Sequence, residues 1–201
     1  MPQTTLKEPK LEKKLNLREY FDDFSDALKQ CLANEANQKA LQDAALMVKQ
    51  TKPNKTKVIL IGNGGSAAIA EHMAIDLTKN AKLRAMTLSG SPQLTTFAND
   101  YGYEYVYSKA MEAYADKGDV LIAISSGGTS PNILNAVEVA KRFGCKVITL
   151  SAFEEDNPLR AKGDINLYVP TKAYGYAEII HNLLIHYIND AVIGSAVYKF
   201  R

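Results

Sequence analysis

Two cysteines, three histidines and almost no net charge leave this 201-residue chain with few residues that announce a chemistry on their own. Cys31 and Cys145 are far apart in apolar patterns and lack the C-x-x-C spacing of a zinc or redox site, so they read as inert core thiols. The formal charge of +2, without a basic stripe interleaved with aromatics, offers no support for nucleic-acid binding. No apolar run approaches the roughly 20 residues that cross a bilayer. Residues 1–14 are lysine-rich and polar, without the apolar segment of a secretory signal, so the expected location is the cytoplasm, with no membrane partner. Hydrophobic residues at 46% and charged residues at 23% are ordinary for a globular chain. The length suits a single domain, expected over residues 15–201 behind a flexible arm at 1–14.

What the chain does have is concentrated in two junctions. An apolar run, Val58-Ile59-Leu60-Ile61, empties into Gly62-Asn63-Gly64-Gly65-Ser66 and then into a helical pattern carrying His72 and Asp76. Small residues let the backbone turn sharply and leave N–H groups unblocked at a helix start, where a phosphate is readily held. A second apolar run, Asp119 to Ile124, leads into Ser125-Ser126-Gly127-Gly128-Thr129-Ser130, with Pro131 where a first helical turn tolerates it. Two such loops point to an anionic, hydroxyl-rich ligand.

Around these junctions the pattern is regular. Leu17, Tyr20, Phe21, Phe24, Leu28, Cys31 and Leu32 recur at helical spacing, and Leu41, Ala44, Ala45 and Val48 continue into a stop at Lys52-Pro53-Asn54. This makes a helical pair ahead of the sheet, suited to core or subunit packing. From residue 57 onward, strands are expected at 57–61, 84–88, 119–124, 146–150 and 164–169. Helices are expected near 67–80, 92–98, 104–115, 131–143 and 177–193. Alternation of this kind implies an α/β fold, a three-layer, doubly wound, mainly parallel five-stranded sheet with N-terminal helices. Ligands of such sheets bind beyond the carboxyl ends of the strands where strand order reverses, so both glycine loops can share one pocket.

Neither loop settles the ligand alone. Gly62-x-Gly64-x-x-Ala67 satisfies the alanine-ended dinucleotide fingerprint, but the second strand ends at Leu88-Ser89-Gly90 with no acid for the ribose hydroxyls. Neither loop has the Gly-Lys-Ser/Thr ending of a nucleotide triphosphate loop. The hydroxyls of Ser125, Ser126, Thr129 and Ser130 suit a phosphosugar, the plainer alternative being a solvated serine-rich turn. With no lysine in either loop, neutral donors and helix dipoles would supply the grip.

The histidines are His72, His181 and His186. His72 and Asp76 are four apart and share a helix face. Glu178 and His186 are eight apart, about 80° around a helix, whereas His181 lies about 140° from His186, so only one of those two readily faces the same side. These residues can be ordinary helix side chains. Two imidazoles and two carboxylates, His72, Asp76, Glu178 and His186, also suit zinc or a similar divalent ion.

Taken together, Gly62-Asn63-Gly64-Gly65-Ser66, His72-x-x-x-Asp76, Phe97-Ala98-Asn99-Asp100-Tyr101-Gly102, the run from Gly118 to Ser125 and the terminal helix with His181 and His186 resemble the sugar isomerase (SIS) domain family, from about Leu17 to Ile193. Within it the likeness is to members acting on phosphorylated seven-carbon sugars. The resemblance implies a flavodoxin-like sheet, a homotetramer with sites at subunit interfaces, and conversion of sedoheptulose 7-phosphate to D-glycero-D-manno-heptose 7-phosphate for bacterial surface polysaccharide. By position it makes Asp76 the base and His186 the acid of an enediol isomerisation. It assigns one zinc ion per subunit to His72, Asp76, Glu178 and His186. Asn63, Gly64, Ser66, Asp100, Ser125, Ser126 and Ser130 match the positions that bind the substrate.

Four positions depart from the family's usual residues: Asp76 stands for glutamate, Glu178 for glutamine, Gly127 for a serine and Asn80 for an arginine. Two other functions fit the same loops. One is a non-catalytic phosphosugar-binding or partner-binding member of the family. The other is an isomerase of a different ketose phosphate.

Overall fold

Asn16 opens the first helix by turning its side-chain oxygen onto the backbone N–H groups of Arg18 and Glu19, at 2.9 and 3.2 Å. The computed structural model describes residues 15–198, and the expected arm at 1–14 lies outside the described residues. Helix α1 (Leu17–Ala33) is followed at once by α2 (Glu35–Asn54), with Asn34 serving as the end of one and the cap of the next. The stop signal at Pro53 acts late. Proline occupies the last turn, and the helix ends on left-handed Lys55 (φ 57°), whose N–H bonds the Lys52 carbonyl at 3.2 Å.

The sheet follows as β1 (Val58–Gly62), α3 (Gly65–Lys79), β2 (Ala85–Thr87), α4 (Ser91–Tyr101), a 3-10 turn (Tyr103–Tyr105), α5 (Val106–Tyr114), β3 (Val120–Ile124), α6 (Pro131–Arg142), β4 (Lys146–Ala152), β5 (Ile165–Val169) and α7 (Tyr174–Ile193). Strand order is β2-β1-β3-β4-β5 and every pairing is parallel, from Val58 opposite Ala85 and Val120 to Leu150 opposite Leu167. All five expected strands are present. Continuous apolar runs are required because helices cover both faces. Val58, Leu60, Ile122 and Ile124 pack against α1, α2, α3 and α7, and Ile59, Ile61, Leu121 and Ala123 pack against α5 and α6.

The two thiols sit in this core, and burial pushes both up to about 11, as inert core cysteines require. At the edge where β1 and β3 begin, Lys57 and Asp119 are buried together. The Lys57 ammonium lies 2.6 Å from Asp119 Oδ2 and 2.7 Å from Asp116 Oδ2. Asp119 also accepts from the backbone N–H groups of Lys57 (2.9 Å) and Asp116 (2.8 Å). Burial pulls the lysine's pKa down, but the two carboxylates outweigh it and raise the group above its ordinary value. The same lysine holds Asp116 below the usual carboxylate range.

His181 belongs to the core. It is fully buried, with Nε2 3.2 Å from the Ser151 carbonyl, which can only accept, so Nε2 carries the proton. Burial lowers its pKa from 6.5 to about 4. Between those values the unfolded chain binds more protons, so His181 contributes stability that is fully present above pH 6.5 and is withdrawn as pH falls through 4. Urea unfolding at pH 7.5 and pH 5 is expected to show about 2 kcal/mol of pH-dependent loss that is absent in His181→Gln. Equal slopes in the two proteins would contradict this.

Candidate functional site

Strand order reverses between β1 and β3, and the loops that leave those two strands line one cavity of about 240 Å³. Asn63 and Ser66 come from the first loop and the start of α3. Ser125, Ser126, Gly127, Thr129 and Ser130 come from the second, and Tyr174 and Glu178 close the cavity from α7. Both α3 and α6 begin at this wall without a side-chain bond from the N-cap residue, so the positive ends of two helices face the cavity, while the N–H groups of Ser66 and Ile133 already bond the Asn63 and Ser130 carbonyls. No lysine or arginine lines the cavity. Hydroxyls, amides and helix ends therefore make up its polar surface, as two lysine-free loops would require.

Turn geometry holds these groups in place. Gly64 has φ 52°, a conformation that favours glycine, and lets the chain enter α3 directly. Gly128 has φ 64°, and a Cβ there would overlap the side-chain amide of Asn157. Asn157 cannot yield. It is buried and donates to Ser151 Oγ (3.1 Å) and the Glu154 carbonyl (2.8 Å), while accepting from Arg160 N–H at 3.0 Å. Gly128→Ala is expected to cost about 3 kcal/mol of stability, from positive-φ strain and overpacking together, read as a lower urea midpoint. A midpoint within error of the parent would show that the loop relaxes freely.

The two loops are tied to each other by an amide pair. Asn63 Nδ2 donates to Asn132 Oδ1 at 3.0 Å, and Asn132 Nδ2 returns a bond to Asn63 Oδ1 at 2.8 Å. The Tyr103 hydroxyl donates to the same Asn63 oxygen at 3.1 Å. The Asn63 side chain is thus committed to joining the loops. Asn132, Tyr103 and Tyr174 escaped the sequence reading. Asn132 follows Pro131 directly and was within reach of it, whereas the tyrosines belong to distant segments. Of the other expected substrate contacts, Ser66, Ser125, Ser126 and Ser130 line the cavity, with Ser125 Oγ and Ser130 Oγ 3.3 Å apart. Gly64 shapes the turn without lining the cavity. Asp100 lies exposed on α4, bonded to Asn99 at 2.9 Å, and is not part of the wall.

Farther along the same two helices, α3 and α7, exposed His72 and half-buried Asp76 and His186 come together, with one ligand atom from each within 4.8 Å of the others. His72 Nε2 is 3.5 Å from Asp76 Oδ2, and the two imidazole rings meet edge to face at 5.1 Å between centroids. Asn80 donates to the other carboxylate oxygen, Asp76 Oδ1, at 3.2 Å. Glu178 is not in this group. Eight residues on a helix are about 80° apart in angle but about 12 Å apart along the axis, and that rise separates Glu178 from His186. Its carboxylate lies instead against Gly65, so close that a Cβ there would be 2.5 Å from Oε1. Two imidazoles and a carboxylate remain, a donor set that fits a zinc-like divalent ion with a position left open.

Residues 19–152 match the SIS domain family. The phosphoheptose isomerase of Helicobacter hepaticus is 40% identical over 159 residues, covering 76% of this chain and 81% of the relative. That of Helicobacter pylori is 37% identical over 173 residues, covering 83% and 88%. Among solved structures, the phosphoheptose isomerase of Neisseria gonorrhoeae superposes with a TM-score of 0.83 at 31% identity, over 89% of this chain and 97% of the other. The enzyme from Francisella tularensis gives 0.82 at 29% identity.

Proposed function

This chain belongs to the SIS domain family, among relatives that are phosphoheptose isomerases, and we propose that it interconverts sedoheptulose 7-phosphate and D-glycero-D-manno-heptose 7-phosphate. It is an isomerase. The observation that carries the assignment is the pairing of a hydroxyl-lined, lysine-free cavity between two helix starts with a His72, Asp76 and His186 group farther along α3 and α7, the helices that line it. The first accepts a phosphate and the second accepts the reacting carbons. Assembly of that group from two helices favours an enzyme over a non-catalytic binder.

Aldose–ketose isomerisation moves one proton between neighbouring carbons and another between their oxygens. Asp76 takes the proton from C1 of the ketose as the C1–C2 double bond forms, and His186 donates a proton to O2, giving a neutral enediol. His186 then recovers a proton from O1 while Asp76 returns one to C2, so the aldose forms with no net gain or loss. Asn80 holds one oxygen of Asp76 and leaves the other on the His72 side. A zinc ion, one per subunit, would be held by His72, Asp76 and His186 and would supply polarisation of the substrate's carbonyl oxygen.

The chain acts as a homotetramer with its sites near subunit contacts. Support comes from the apolar side chains left exposed beside the site, Ile179, Leu183 and Tyr187 on α7 and Ile75 on α3, and from an apolar cavity between α2 and α7. Among the described residues no helix is long and apolar enough to cross a membrane. The product would serve bacterial surface polysaccharide.

A proton NMR time course on sedoheptulose 7-phosphate in deuterated water, with and without added zinc, tests the reading. The expected result is an aldoheptose phosphate carrying deuterium at C2. A folded, zinc-supplied protein that leaves the ketose untouched would remove this substrate and turn attention to other ketose phosphates.

A further inference from the structure

The wall of the hydroxyl-lined cavity is uneven in what it offers a phosphate, whose oxygens accept hydrogen bonds and need donors. Gly127 brings no side chain, Glu178 brings a carboxylate, and Ser125 and Ser130 share one bond at 3.3 Å. With no lysine or arginine in the wall, each remaining hydroxyl counts. Tyr174 carries one of them. It is the first residue of α7, it is exposed, and its hydroxyl has no hydrogen-bond partner among the described residues.

A strained corner stands behind this tyrosine. Phe153, directly after β4, has φ 64°, a left-handed conformation that is an outlier for a bulky side chain. Such strain persists only where the surroundings over-determine it, and it gathers at ligand clamps. Here both sides are pinned. The serine loop is fastened to the end of β4, Ser125 N–H to the Leu150 carbonyl at 3.0 Å and Ala152 N–H to the Ser126 carbonyl at 2.8 Å. The segment leading into α7 is fastened by Phe153 N–H to the Thr171 carbonyl at 3.0 Å, and the Tyr168 hydroxyl donates to the Phe153 carbonyl at 2.9 Å. The Phe153 ring then lies against two parts of the cavity wall. A Cβ on Gly127 would be 3.8 Å from its Cδ2, and Tyr174 meets the ring edge to face at 4.7 Å between centroids.

Resting on the isomerase reading above, we infer that Tyr174 is a substrate-binding residue whose hydroxyl donates a hydrogen bond to the phosphate of the ketose phosphate, and that Phe153 is the positioning residue that holds it at the cavity. A ring already packed against a second ring has little freedom left to lose when the phosphate arrives. The phosphate does not change during isomerisation, so the contact is the same in substrate and enediol. It therefore acts on KM and leaves kcat alone.

The test uses the full chain with zinc, sedoheptulose 7-phosphate for turnover, and inorganic phosphate, whose dissociation constant is read from its phosphorus NMR shift. Tyr174→Phe removes the hydroxyl and keeps the ring against Phe153. It is expected to raise KM and the phosphate dissociation constant about tenfold each, with kcat within about twofold. Phe153→Ala, or Phe153→Leu should alanine disturb the fold, is expected to raise both constants with the same sparing of kcat. Combined with Tyr174→Phe, it should lose no more than Tyr174→Phe alone. Constants unchanged in Tyr174→Phe would overturn the inference. A raised KM with an unchanged phosphate constant would place the hydroxyl on the sugar and overturn it too. Losses that multiply in the double variant would remove Phe153 from its role, because it would then act through the fold. Phosphate binding needs no turnover, so the two readings fail separately. Wild-type protein that binds inorganic phosphate through Tyr174 and isomerises nothing would support this contact and sink the isomerase reading. Turnover with a phosphate constant indifferent to Tyr174 would do the reverse.

Discussion

Asp76→Asn is expected to lower kcat for the heptulose phosphate by about a thousandfold or more, and His186→Asn by about a hundredfold to ten-thousandfold, each with a far-ultraviolet spectrum like that of the parent. Asparagine matches aspartate in shape and keeps an oxygen toward Asn80, so the loss reports the charge of the carboxylate, as base and as metal donor, and not its packing. The two variants separate by isotope. With Asp76 gone, exchange of the C1 proton with deuterated water should vanish along with turnover. With His186 gone, Asp76 can still abstract, and slow C1 exchange should outlast product formation. Near-parental turnover in either variant would remove that residue from its role. Exchange that survives Asp76→Asn would mean the base is another group.

The largest stability effect is expected at the opposite end of the strands. Asp119→Ala strips three partners at once, the Lys57 ammonium and the N–H groups of Lys57 and Asp116, and leaves a lysine only 8% exposed without its buried counter-charge. Breaking one side of a buried pair in this way costs about 3–5 kcal/mol. Urea unfolding measures it, and the double variant Lys57→Met/Asp119→Leu should recover much of the loss because it buries neither charge. If Asp119→Ala cost less than about 1 kcal/mol, water would be reaching Lys57 and the pair would not act as a buried one. Five residues of β1 separate this edge from the glycine loop, so folded protein at low temperature should keep its kcat.

The role of the Lys57–Asp119 pair was hidden in the sequence for a simple reason. Both residues stand at the starts of predicted strands, where a charged residue is ordinary. Only parallel pairing, which puts Val58 beside Val120, brings Lys57 against Asp119. The same holds for the amide pair Asn63–Asn132, whose members are 69 residues apart. His181 and His186 differed in sequence only by helical angle. That angle was enough to say that they face different ways, and the structure put His181 under Ser151 and His186 beside His72.

Local signals were strong wherever a single segment carried the information. Five apolar runs between helix-length segments specified a parallel sheet, because strands covered on both faces have to be apolar throughout. Glycine and serine clusters after the first and third runs marked the two loops that line the cavity, because tight turns into helices demand small residues. What needed three dimensions was which strands lie side by side and which side chains of another helix each residue meets. Glu178 lies near the same helical angle as His186, yet it sits against Gly65 in the wall of the hydroxyl-lined cavity and apart from the His72, Asp76 and His186 group, and only the docking of α7 on α3 shows what it meets there. The sequence by itself determined the elements, the two loops and the class of ligand they suit. The tertiary structure decided which side chains meet, since contacts between distant segments follow from strand order and helix docking and not from local spacing.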